Sequence, residues 1–164
     1  MKIFKINNRV KLIICAAVLI VWIALMLILS SQNGTQTARV SGSLSFWLTR
    51  MIFGESELYA KWQTVHTLIR RAAHIFLFAV MSALVAEFIS CFEKAKTIFC
   101  AAAAVCIGSL FSLADEWHKL FIDGRHFDMF DVKLNIIGVL IGTAIFLAIR
   151  FLIARRTVIH KNKN

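Results

Sequence analysis

Long apolar runs alternate with short polar stretches along this chain. Four of the runs approach the roughly 20 residues that a helix needs to cross the hydrocarbon core of a bilayer. The second run contains His74 and Glu87, and the fourth carries Asp131 near its start, whereas the first and third are free of charge. The pattern predicts an all-α membrane protein, with one domain over residues 1–164 and four transmembrane helices at about 12–29, 72–89, 97–114 and 129–149.

The polar stretch between the first two runs has a helical periodicity of its own. Apolar residues recur there at spacings of three and four, between serines and arginines, at Val40, Leu44, Trp47, Leu48 and Met51. This spacing predicts a short amphipathic helix that lies in the membrane interface. A helix break is predicted at Gly54. The periodicity then resumes and continues into the second span, at Leu58, Tyr59, Trp62, Val65 and Ile69.

Composition excludes the other broad classes. The chain is 59% hydrophobic and 17% charged, and its mean hydropathy is +0.75. Soluble domains have about 45–50% apolar and about 25% charged residues. A disordered chain would need low hydrophobicity and high charge, so both alternatives fail.

The net charge of +10 comes from basic residues whose positions predict the orientation of the chain in the membrane. Of the 19 Lys and Arg residues, four lie in the N-terminal tail, two in the turn at 91–96 and five at the C-terminal end. Four spans place these three regions on one side, and the positive-inside rule predicts that both termini are cytoplasmic. The basic residues are scattered between apolar runs, so we expect membrane lipids as partners and no nucleic acid.

Three polar clusters are predicted to meet at the opposite, outward end of the spans. A charge at the centre of a bilayer costs roughly 2.5–3.5 kcal/mol on insertion scales, and less near the interface. Such a collection is therefore either a functional site or an ion-pair scaffold that pins the helices together. Its members are Arg70, Arg71, His74, Asp115, Glu116, His118, Arg125, Asp128, Asp131 and Asn135.

The fourth span carries its polar residues on one stripe. Spacings of three and four continue from Asp128 through Asp131 and Asn135 to Gly138 and Gly142. The two glycines form a small-xxx-small pair, which lets a second helix approach closely. The polar end of the stripe is therefore expected to face the bundle.

The residue types indicate the chemistry of the site. Arg70, Arg71 and Arg125 are expected to hold an anion, since a guanidinium grips phosphate with a planar fork of donors. Acid–base chemistry is assigned to the acidic group together with one histidine, namely Asp115, Glu116, His118 and Asp131. Orienting roles are assigned to His74, Asn135 and Asp128. A divalent metal held by the same acids and histidines is the second interpretation, and the sequence leaves the cofactor open.

These motifs together resemble the VanZ-like family. The resemblance covers about residues 10–150 and rests on Arg70-Arg71-x-Ala73-His74, Asp115-Glu116-x-His118, Gly124-Arg125 and the stripe from Asp131 to Gly142, with Ser30-Ser31-Gln32 after the first span. It implies a bacterial envelope membrane protein. The name-giving member of that family is linked to resistance to the glycopeptide teicoplanin, so the resemblance implies an effect on glycopeptide sensitivity.

Two positions depart from the family pattern. The family usually has Gln where this chain has Lys119, and often Glu-Tyr where it has Leu77-Phe78. Lys119 either impairs a reaction that needs the Gln or pairs with Asp115, four residues earlier.

Three function classes follow for a pocket that handles an anionic lipid head group or a lipid-linked envelope precursor. An enzyme would need the carboxylates for turnover, so enzymatic activity is left open. A lipid-binding or shielding protein would need the arginines more than the acids. A proton-coupled transporter would need titratable groups deep in the membrane, and Glu87 alone among these residues is deep, which counts against transport.

Overall fold

The computed structural model describes residues 8–32, 34–92 and 95–161, and at 34–41 and 157–161 it describes the backbone alone. These ranges contain helices and turns and no strand. The helices are α1 Asn8–Ser30, α2 Gly34–Phe53, α3 Leu58–Ser90, α4 Thr97–His118 and α5 Met129–Lys161, with a 3₁₀ turn at Lys119–Phe121. The tail at 1–7, the turn residues 93–94 and the side chain of Val40, which entered the sequence predictions, lie outside this description.

Within the described ranges, four helices are long and apolar enough to cross a membrane, which confirms the prediction of an all-α chain with four candidate spans. They are α1, α3, α4 with its 3₁₀ extension to Phe121, and α5 as far as Arg156. The second span begins fourteen residues before its apolar run, because the amphipathic segment from Leu58 continues into it without a break. At 1.5 Å per residue, the 33 residues of α3 extend about 50 Å. This exceeds the ~30 Å hydrocarbon core.

Helix α2 covers the amphipathic segment predicted between the first two spans, and it is not among the candidate spans. It packs against the first half of α3, where the indole N–H of Trp62 donates to the backbone oxygen of Gly42 at 3.4 Å. Its helical state agrees with the periodicity. Its position in the membrane interface remains a prediction.

Helix α3 is the centre of the bundle and contacts each of the other four α-helices. It runs parallel to α5, and paired residues on the two helices are 61 positions apart in the sequence. This register holds from the pair Arg70–Asp131 to the pair Ser82–Thr143, whose buried hydroxyl groups are 2.7 Å apart. A Cβ added at Gly138 would collide with the carbonyl oxygen of Ile75, and one at Gly142 with that of Ala79. The close approach predicted for the two glycines is thus confirmed, and α3 is the partner helix.

Chain direction decides where the polar residues meet. Helices α1 and α4 end, and α3 and α5 begin, at the same end of the bundle. Helix α1 buries few of its residues, namely Met26 and Ser30. The indole N–H of its Trp22 donates to the backbone oxygen of Leu77 at 3.1 Å. This helix forms one wall of the cavity described below.

Candidate functional site

The pairing of α3 with α5 organises the polar cluster. Arg70 and His74 lie one helical turn apart on α3, opposite Asp131 and Asn135 on α5. The Arg70 guanidinium donates to Asp131 Oδ2 at 2.9 Å, and His74 Nδ1 lies 2.9 Å from Asn135 Oδ1. The amide oxygen of Asn135 can only accept, so Nδ1 of His74 is the donor in this contact. His74 Nε2 then faces Asp131 Oδ2, at 3.5 Å.

The end of α4 adds a lysine and a carboxylate that are both buried. The side chain of Glu116 is 0% exposed and that of Lys119 is 2% exposed, and the two form an ion pair. Lys119 Nζ also lies 3.4 Å from Asp131 Oδ2, so its ammonium bridges α4 to α5. The second oxygen of Glu116 accepts from the backbone N–H of Asp128 at 3.3 Å.

The start of α5 is capped by the chain itself. Asp128 Oδ1 accepts from the backbone N–H of Phe130 at 2.8 Å, which satisfies one of the free donors at the helix N-terminus. Asp131 lies in the first turn of α5, where the helix dipole favours a negative charge. The structure therefore gives Asp128 a capping role as well as a position beside Glu116.

A cavity of about 270 Å³ opens beside this cluster. One part of its wall is apolar and comes from α1, α2 and α3, with Met26, Leu29, Leu44, Ile69, Leu77 and Phe78. The other part is polar, with Arg70, His74, Asp115, Lys119 and Arg125, and with Ser30 and Gln32 at the end of α1. The cavity is thus amphipathic, with a charged end built from α3, α4 and the loop after α4.

Arg125 reaches the cavity from a tight turn. Gly124, before it, has φ +73°, a left-handed backbone conformation that glycine adopts without strain. The Arg125 guanidinium donates to the backbone oxygen of Gln32 at 3.2 Å. The contact ties the loop before α5 to the end of α1.

Of the ten predicted site residues, four line the cavity, three lie behind its wall, and Arg71, His118 and Asp128 are absent from its lining. Arg70, His74, Asp115 and Arg125 line the cavity. Behind its wall, Glu116, Asp131 and Asn135 are buried and bonded to one another through Lys119, Arg70 and His74.

Arg71 and His118 lie apart from the cavity lining. The Arg71 guanidinium stacks over the ring of Phe130, 4.7 Å from its centroid. His118 is half-buried, and its Nδ1 has no hydrogen-bond partner among the described residues. Their predicted roles in holding the anion and in acid–base chemistry remain predictions.

Lys119 is the site residue that sequence reasoning left out of its assignments. The departure from the family pattern marked the position, but the partner named for it was Asp115. The structure pairs Lys119 with Glu116 and Asp131 instead. Residues three apart and residues four apart can both be in contact on a helix. Only the side-chain packing could therefore decide whether Lys119 pairs with Glu116 or with Asp115.

Among the described residues, one set of side chains could ligate a divalent cation. Single donor atoms of His74, Glu116 and Asp131 lie within 4.8 Å of one another. One histidine and two carboxylates suit several divalent metals. The Lys119 ammonium contacts both carboxylates of this set, so a metal ion would have to displace it.

A second ionic cluster lies at the other end of the bundle. Glu87 on α3 accepts from Lys11 of α1 and from Arg150 of α5, each at 2.8 Å. These three residues join three helices far from the cavity. Glu87, the deep acid singled out in the sequence, is therefore an ion-pair partner.

Comparison with protein families identifies the chain. The VanZ/LLP1 family model matches residues 15–152. The chain belongs to this family, as the motifs around His74, Asp115 and Asn135 predicted. Comparison with curated proteins and with solved structures yields no match.

Proposed function

We propose that this member of the VanZ/LLP1 family binds a phosphate-bearing lipid in the cavity between α1, α3 and α4. The observation that carries the proposal is that one cavity joins an apolar wall to a charged end. An amphiphile needs both surfaces at once, since its chain is stabilised by apolar contact and its head group by charge.

The charged end suits a phosphate. Arg70, Arg125 and Lys119 all line it. Arginine offers planar donor pairs to phosphate oxygens, and lysine adds a point charge. Arg70 is the best placed of the three for an incoming anion, because its side chain is 49% exposed while it contacts Asp131.

The apolar wall suits the first part of a lipid chain. A volume of about 270 Å³ is slightly below the ~300–1,000 Å³ typical of ligand pockets. The cavity thus holds a head group and the adjoining part of a chain, and the remainder of the lipid stays in the bilayer. Helix α1, with few buried residues of its own, is the wall past which the lipid would enter.

The side of the membrane follows from charge. With both termini cytoplasmic by the positive-inside rule, the cavity lies at the extracytoplasmic end, because α1 ends there after one crossing. The ligand is then a lipid of the outer leaflet or a lipid-linked envelope precursor. Binding such a precursor would account for the lower glycopeptide sensitivity that the resemblance implies.

Binding is favoured over the two rival functions. Of the acids assigned to catalysis, Glu116 and Asp131 are paired with cationic side chains, and His74 lies against Asp131 at 3.5 Å. Asp115 is the remaining assigned acid, and it faces the cavity with no ion pair among the described residues. Proton-coupled transport would need unpaired titratable groups along the whole length of the bundle. Glu87, at the far end, is paired with two cationic side chains.

The test compares two lipids that differ by a phosphate. Purified protein in detergent is titrated with short-chain phosphatidic acid and with the diacylglycerol of the same chains, followed by native mass spectrometry. We expect binding of the phosphatidic acid alone. Arg70→Gln and Arg125→Gln should weaken it, whereas Lys133→Gln removes a positive charge from the exposed face of α5 and should not. Equal binding of both lipids, or equal effects of all three variants, would refute the proposal.

A further inference from the structure

Asp115 is a buried carboxylate that the ionic cluster does not use. It is 7% exposed and lines the cavity. No ion pair or hydrogen bond joins its side chain to another of the described residues. Its neighbour Glu116, by contrast, has both oxygens engaged, by Lys119 and by the N–H of Asp128.

We propose that Asp115 forms a subsite for a hydrogen-bond donor on the lipid head group, a hydroxyl or an ammonium carried next to the phosphate. The inference rests on the proposed function, because it assigns a second part of the same ligand. It narrows the substrate class from any phosphate-bearing lipid to one whose phosphate bears a donor group.

The energetic argument concerns the unpaired charge. A carboxylate taken out of water without a partner is costly, and the oxygens of Asp115 can only accept hydrogen bonds when ionised. The nearest lysine along the chain, Lys119, is already held by Glu116 and Asp131. A donor from the ligand would therefore complete the site, and hydrogen bonds to a charged group are the stronger kind.

The geometry places opposite charges on one cavity. Arg70 and Arg125 come from α3 and from the loop after α4, while Asp115 comes from the last turn of α4. A head group that is anionic at its phosphate and a donor at its far end matches both signs. A phosphate ester without a donor satisfies the arginines and leaves Asp115 unpaired.

Three lipids with the same chains separate the cases. Phosphatidylethanol has a single negative charge and no donor, phosphatidylglycerol has the same charge with hydroxyls, and phosphatidylethanolamine has an ammonium. We expect wild-type protein to bind the last two roughly tenfold more tightly than phosphatidylethanol, as a hydrogen bond to a charged group predicts. Native mass spectrometry of the full chain in detergent measures the three affinities.

Two substitutions at Asp115 identify the donor. Asp115→Leu should remove the preference and bring all three lipids to the affinity of phosphatidylethanol. Asp115→Asn keeps an accepting oxygen but loses the charge, so it should retain the preference for phosphatidylglycerol and lose that for phosphatidylethanolamine. Lys133→Gln, away from the cavity, is the control for a general change in charge.

The outcomes distinguish this subsite from the proposed function. If wild-type protein binds all three lipids equally, the donor subsite is wrong and phosphate binding stands. If Asp115→Leu and Asp115→Asn lower all three affinities by the same factor, Asp115 is a structural residue and the subsite is again wrong. If none of the lipids binds, the proposed function itself fails, and the subsite with it.

Discussion

Glu116 and Lys119 form an ion pair that water hardly reaches, because their side chains are 0% and 2% exposed. They lie one helical turn apart at the junction of α4 with the 3₁₀ turn. Charges buried this deeply are stable only while each has its partner. Substitution of either residue should therefore lower the stability of the protein.

The first prediction is a double-mutant cycle on this pair. Glu116→Gln leaves the Lys119 ammonium without its nearest carboxylate and should destabilise the protein by about 3–5 kcal/mol, as removal of one partner of a buried ion pair does. Glu116→Gln combined with Lys119→Gln removes both charges and should be more stable than either single variant. Thermal unfolding in detergent of the four proteins gives the coupling energy. Additive effects would show that the two side chains do not act as a pair.

The second prediction concerns cations. Lys119→Gln removes the ammonium that contacts both Glu116 and Asp131. The candidate ligand set then no longer has a cation between its two carboxylates, so a divalent metal can bind there. We expect Zn²⁺ or Mn²⁺ to raise the unfolding temperature of this variant and to leave that of wild-type protein unchanged. Adding His74→Ala should abolish the effect. Wild-type protein that binds the metals as tightly as the variant would contradict the prediction.

The third prediction compares adjacent arginines on α3. Arg70→Gln removes a donor from Asp131 but leaves Lys119 beside that carboxylate, and the Arg70 side chain is 49% exposed. The loss of stability should therefore be about 1 kcal/mol, at the upper end for exposed pairs. Arg71→Gln loses only the stacking over Phe130. Thermal unfolding should show a small decrease in unfolding temperature for both variants, while lipid binding falls for Arg70→Gln alone. A larger loss of lipid binding for Arg71→Gln would show that Arg71 belongs to the anion site.

The fourth prediction tests the contact between α3 and α5. Gly142→Ala places a methyl group against the carbonyl oxygen of Ala79, so the helices must separate. Overpacking of this kind costs about 1–3 kcal/mol. Ala144→Val, on the exposed face of the same helix, is the control and should leave the unfolding temperature nearly unchanged. Equal unfolding temperatures for Gly142→Ala and wild-type protein would mean that the helices do not touch there.

The fifth prediction concerns orientation in the membrane. Eleven of the 19 Lys and Arg residues lie in the tail, the 91–96 turn and the C-terminal end, so these regions should be cytoplasmic. Green fluorescent protein fused after Asn164 should fluoresce, and a tag inserted at Gly124 should be reached by antibody from outside the cell. A shielded tag at Gly124 together with an accessible turn at 91–96 would reverse the orientation.

The pattern of apolar and polar residues along the chain was enough to predict the class of fold and most members of the polar cluster. Apolar runs near membrane length require helices, because backbone groups in lipid must be satisfied within the segment. The spacing of Asp131, Asn135, Gly138 and Gly142 also predicted which stripe of α5 faces the bundle. Both inferences follow from periodicity, which is a local property of the chain.

Which charges meet depends on the packing of the helices against one another. Asp115 and Glu116 are neighbours in the sequence, yet one lines the cavity and the other pairs with Lys119, because successive residues on a helix point about 100° apart. For the same reason the adjacent arginines have different partners: Arg70 contacts Asp131, and Arg71 stacks over Phe130. The 61-residue register between α3 and α5 and the apolar wall from α1 and α2 depend on contacts between distant segments, which no local pattern encodes.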